Sequence, residues 1–164
     1  MHDVLIVIDP QYNKLKDFSE SEKQDIIDRI CDRVRYHAEN ISNDIYGTID
    51  KRYTSDAHPF IFKKLTQAII DLPNVHIPIQ TKYNLGSLDM VNQVVKLHNK
   101  YEHEGGVKVE IIGCNSNYEC FIMAMTLKTL IAKIEVEMNL ACIAGRLDNS
   151  LDVAKSIGIN LVEL

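Results

Sequence analysis

A thiol at the head of an apolar helix is the most reactive prospect in the sequence. Cys120 falls on the first turn of an apolar run that starts near Tyr118, after the apolar stretch Val107–Ile112 and a polar turn opened by Gly113. Buried run, turn and helically spaced apolar residues read as strand, turn and helix. Unpaired N–H groups at a helix start carry partial positive charge, which stabilises a thiolate and lowers its pKa. Cys120 is therefore either a nucleophile or a buried structural cysteine. Three other groups bear on the choice. Asp9 ends the run VLIVI (Val4–Ile8), Asp50 ends Ile45–Ile49, and Lys82 follows Val75–Gln80. Reactive side chains at four such ends favour chemistry over chance.

The elements that must position them are legible in order. Val4–Ile8 is a β-branched and leucine run typical of a strand buried on both faces of a parallel sheet. Ser19-x-x-Glu22 has the pattern of a capping box, and Ile26, Ile27, Ile30, Cys31, Val34 and Ala38 then share one helical face. A second strand spans Ile45–Ile49, a helix Phe60–Ile70 and a third strand Val75–Gln80. Ser87 can cap a helix carrying Leu88, Val91, Val94, Val95, His98 and Tyr101, which Gly105-Gly106 stops. After the central strand and helix come a strand over Glu135–Ile143, a short helix over Leu151–Ile157 and a last strand over Asn160–Leu164. Six strands alternating with five helices predict one domain over residues 1–164. Its form is a three-layer Rossmann-like α/β fold, with a mainly parallel six-stranded sheet and helices on both faces. Ligands in such folds bind at the carboxyl edge of the sheet, where strand order reverses.

Composition narrows the function classes. The chain is 46% apolar and 25% charged, as a soluble globular domain requires. Its net charge of −5 and scattered basic residues give no stripe for nucleic acid. No apolar run is long enough to span a membrane, and no signal peptide is expected. The cysteines at 31, 114, 120 and 142 have neither CxxC pairing nor zinc spacing, which points to a reducing compartment, by default the cytoplasm.

Three segments together resemble the isochorismatase-like cysteine hydrolases, the superfamily that includes nicotinamidases and isochorismatase. The first is VLIVIDPQYN, similar to the family's apolar strand ending in D-x-Q. The second is Gln80–Leu88, similar to its lysine segment after the third strand. The third is Ile111-Ile112-Gly113 with the cysteine turn and apolar helix. The resemblance covers nearly the whole chain and implies an Asp9, Lys82, Cys120 triad. In these roles Asp9 takes the thiol proton and returns it to a leaving amine, while Lys82 favours both anions. Backbone N–H groups around Glu119 and Cys120 would form the oxyanion hole. Gln11, Asp50 and Arg52 would contact the substrate, and the family's habit implies a homo-oligomer, a dimer or tetramer. The expected reaction is hydrolysis of a small amide through a thioester.

Two departures from the family pattern leave rivals standing. The family places its cysteine six residues after the glycine, whereas Cys120 follows Gly113 by seven, so an ungapped match puts Glu119 at the nucleophile position. Nicotinamidases carry Asp-x-His after the second strand to hold a divalent ion. Here Asp50-Lys51-Arg52 has arginine, which cannot ligate a metal, and Asp56-Ala57-His58-Pro59 repeats the wording six residues late. The reaction is therefore expected to need no cofactor. The rivals are a catalytically silent binding protein that keeps the fold, and a cysteine-independent hydrolase of the isochorismatase type.

Overall fold

The structure is a computed structural model that describes residues 1–50, 64–65, 72–81, 88–114, 119–145 and 150–164, with residues 76–81 described by backbone alone. Six parallel strands form one sheet: β1 (His2–Ile8), β2 (Asp44–Asp50), β3 (Val75–Thr81), β4 (Val107–Cys114), β5 (Glu135–Ala144) and β6 (Asn160–Val162). Their order is β3-β2-β1-β4-β5-β6. Every pairing between neighbours is parallel. The chain leaves β1 in one direction to build β2 and β3, then returns to the other side of β1 for β4 to β6. The order reverses between β1 and β4, and that is where a ligand crevice forms in this class of sheet. The expected fold class is the one observed.

Alternation along β1 explains the layers. Val4, Ile6 and Ile8 face an apolar cluster with Met90, Val94, Met123 and Leu127, while Leu5 and Val7 face a second with Ile27, Ile30 and Val34. All five β1 residues are fully buried. Each such side chain contributes roughly 1.5–3 kcal/mol of transfer free energy. The first cluster is covered by α2 (Leu88–Lys100), α3 (Phe121–Leu130) and α4 (Ser150–Ser156), the second by α1 (Glu20–Ala38). The capping box at the start of α1 forms as its spacing predicts, with Ser19 accepting from the Glu22 N–H. The predicted helix over Phe60–Ile70 and the Ser87 cap lie outside the described residues, except that residues 64 and 65 are helical. No described helix is long and apolar enough to cross a membrane.

Gly113 sets the spacing at the switch point. It pairs with Ile8 across β1 and β4, and its φ of 127° lies in the region that favours glycine. A Cβ there would sit 2.2 Å from the Ile8 carbonyl oxygen. The two central strands thus close up just before Asp9, fixing that residue beside the end of β4.

Candidate active site

Asp9 is the first residue beyond β1, with a φ of 42°. Left-handed backbone is uncommon for residues other than glycine, though aspartate tolerates it better than most. Such a conformation costs about 1–3 kcal/mol and persists only where neighbours enforce it. Thr48 on β2 is one enforcer. Its hydroxyl accepts from the Asp9 N–H at 3.1 Å and donates to Asp9 Oδ1 at 2.7 Å. The Gln11 N–H then donates to the Asp9 carbonyl at 2.6 Å, closing the turn. The carboxylate is completely buried.

A residue that sequence reasoning missed completes the arrangement. After Pro10 the chain forms a 3-10 turn over Tyr12–Leu15, pinned by the fully buried Leu15. That turn aims Lys14 inward, leaving its side chain only 3% exposed. Its Nζ lies 2.9 Å from Glu119 Oε1, 3.2 Å from Asp50 Oδ2 and 3.3 Å from Asp9 Oδ2. Burial alone would lower the pKa of the ammonium. The hydrogen bond to Glu119 and the charges of Asp9, Glu119 and Asp50 outweigh it and hold the group above its ordinary 10.5. Lys14 is a permanent cation inside a ring of carboxylates. The available signal was one of charge: three acids at one sheet edge need a counter-ion, and a lysine five residues beyond Asp9 is within reach.

Glu119 and Cys120 part company. They lie in a π turn that leads into α3 at Phe121, the kind of turn by which a helix takes up an extra residue. The Glu119 carboxylate reaches Lys14, while its second oxygen, Oε2, is buried with no hydrogen-bond partner. Cys120 is fully buried in the apolar cluster with Ile6, Ile8 and Met123. Burial works against the effect of the helix start on this thiol. Burial, reinforced by the negative neighbours Glu119 and Asp9, pushes the Cys120 thiol well above its ordinary 9. Cys114 is likewise buried and pushed up. The position that the ungapped family match gave to the nucleophile is filled by a carboxylate.

The remaining predicted residues divide. Gln11, expected to touch substrate, clasps the end of β2. Its side chain donates to the Asp50 carbonyl at 3.2 Å and accepts from the Asp50 N–H at 2.9 Å. That clasp turns the Asp50 carboxylate, also fully buried, toward Lys14. Lys82, Arg52, Asp56 and His58 lie outside the described residues. The expected oxyanion hole around Glu119 and Cys120 borders residues 115–118, which are also outside them.

The sequence matches no protein-family model and no curated protein, but solved structures match along its full length. The nicotinamidase from Staphylococcus aureus superposes with a TM-score of 0.70 at 19% identity, covering 99% of this chain and 98% of that one. A MAR1 ribonuclease from Caenorhabditis elegans gives 0.72 at 14%, covering 99% and 77%. The pyrazinamidase from Pyrococcus horikoshii, solved in complex with zinc, gives 0.63 at 20%, covering both chains entirely. At these identities the likeness establishes the fold, which is that of the nicotinamidases and isochorismatase-like hydrolases.

The zinc in the last of these poses a question for this chain. Oxygens of Asp9, Asp50 and Glu119 lie within 4.8 Å of one another, the only such group among the described residues. Zinc favours nitrogen and sulfur donors, and these are all carboxylates. Moreover, the Lys14 ammonium already stands within 3.3 Å of all three. As folded, these residues do not fit a divalent ion.

Proposed function

We propose that the chain is a hydrolase that cleaves a small amide with carboxylates in place of a thiolate. One observation carries this reading: the Glu119 carboxylate, and not the Cys120 thiol, shares the Lys14 ammonium with Asp9. In this reaction Glu119 takes a proton from water and the hydroxide attacks the carbonyl carbon. The Lys14 charge offsets the oxyanion that develops. The tetrahedral intermediate collapses as its carbon–nitrogen bond breaks, and Glu119 passes the proton to the leaving nitrogen. The products are a carboxylic acid and an amine. Asp9, fixed by Thr48, holds the ammonium in place and shares the proton work. The nicotinamidase and pyrazinamidase likenesses support an amide as the substrate class.

The test is turnover of an amide panel by two variants. Glu119→Gln should lower kcat by about 10²–10⁴, the usual worth of general acid–base catalysis. Cys120→Ala should leave it within about twofold, since the thiol contributes packing alone. The reverse pattern would restore the Asp9, Lys82, Cys120 mechanism and remove this one. A binding protein without turnover is the second reading, favoured by the way Lys14 ties up all three carboxylates before any ligand arrives. Wild-type protein inert toward every amide, ester and enol ether tried would support it.

A further inference from the structure

The misfit with a divalent ion points further than the absence of a ligand would. We infer that the Lys14 ammonium is an internal replacement for a divalent cation, and that the Asp9, Asp50 and Glu119 carboxylates form a metal site that this lysine keeps closed. Three carboxylates arrive from three separate elements, the ends of β1 and β2 and the turn into α3. Nothing in the sheet requires them to converge. Each is at least nine-tenths buried, where like charges repel strongly and a shared cation is the remedy.

Lys14 stands among all three carboxylates, but one carboxylate oxygen takes no hydrogen bond. Glu119 Oε2, in a residue 7% exposed, has no hydrogen-bond partner at all. It is a donor atom of the sort a metal ion uses, while the Lys14 ammonium bonds the other oxygen of the same carboxylate. An all-oxygen set suits a hard ion such as Mg²⁺ or Mn²⁺.

The prediction concerns ion binding and does not depend on the proposed hydrolysis. Mn²⁺ alone is the probe, read by its electron paramagnetic resonance and by titration calorimetry. Wild-type protein should show no binding that Glu119→Gln abolishes. Lys14→Met keeps the side-chain length, removes the charge, and should bind one Mn²⁺ at least about tenfold more tightly than wild type, a difference of about 1.4 kcal/mol. Adding Glu119→Gln to that variant should remove the ion. Wild-type protein that takes up Mn²⁺ in a Glu119-dependent way would overturn the inference, because the lysine would not be closing the site. So would a folded Lys14→Met protein that ignores Mn²⁺. If Lys14→Met is insoluble, refolding it with Mn²⁺ or with chelator decides: recovery only with the ion supports the inference, and failure in both conditions overturns it.

Discussion

Among the described residues a buried carboxylate ringed by donors and a buried ammonium ringed by carboxylates lie at different places in this sheet. Glu110 on β4 is 3% exposed and is surrounded by donors. Arg33 from α1 grips it through two bonds of 2.7 Å, one to each oxygen. His37 adds a bond of 2.8 Å to Oε2 and Asn139 from β5 one of 2.8 Å to Oε1. Each oxygen has two partners, and Asn139 reaches on to the backbone of Leu164. At the carboxyl edge the described residues gather three carboxylates around Lys14, and Glu119 Oε2 takes no hydrogen bond. Each cluster keeps a buried polar atom without a hydrogen bond, His37 Nδ1 in the first and Glu119 Oε2 in the second, so satisfaction alone does not separate them. What separates them is what converges: donors on one carboxylate in the brace, like charges on one cation at the edge, which are costly to gather in a buried place.

The sharpest test of that contrast substitutes one carboxylate in each cluster. Glu110→Ala leaves the Arg33 guanidinium without its carboxylate and His37 Nε2 without its partner, and should cost about 3–5 kcal/mol of unfolding free energy. Turnover of the surviving folded protein should be unchanged. Glu119→Gln removes one of three neighbouring negative charges and should cost under about 1 kcal/mol, while turnover falls as stated above. Urea unfolding of both variants provides the measurement. Equal losses of stability would mean that both clusters are braces.

A smaller effect of defined sign follows from acid. Burial alone would raise the Glu110 pKa, but hydrogen bonds from His37, Arg33 and Asn139 overcome it and bring the group from 4.5 down to about 2. A depressed folded pKa contributes stability that is fully present above the unfolded value and is lost as pH falls from about 4.5 toward 2. Relative to Glu110→Gln, which cannot ionise, the wild type should therefore lose ~3 kcal/mol over that window. A constant gap between the two proteins across it would show that Glu110 is not held as an anion by this network.

What the sequence disclosed and what it withheld follow the same division. Apolar runs located all six strands, because burial on both faces leaves little choice of residue there, while the place of the crevice, between β1 and β4, needed the strand order. Asp9 and Asp50 were visible as carboxylates closing such runs. Lys14 was not, because a short 3-10 turn has no periodicity and its direction depends on where Leu15 finds a pocket. Gln11 was visible as part of a D-x-Q pattern, but its role as a clasp on Asp50 required the register of β1 against β2. Glu110 and His37 belong to no motif in the sequence. Only the packing of α1 against the sheet brings them within 2.8 Å.

The thiols give the last and smallest effect, one expected to be nearly nothing. A cysteine poised for attack reacts with iodoacetamide well below the ordinary thiol pKa of about 8.5. In the folded protein burial pushes Cys31 and Cys142 to about 11 and Cys114 and Cys120 upward as well. At neutral pH a thiol near 11 is ionised in only about one molecule in 10⁴, so labelling should be slow at all four positions. Burial should make Cys114 and Cys120 the slowest, and urea should release all four together. Rapid labelling of Cys120 near pH 6, altered by Asp9→Asn, would undo the comparison from its functional side. The carboxylates around Lys14 would then serve a thiolate. Slow, uniform labelling leaves Glu119 as the reactive group in the place that the turn into α3 provides.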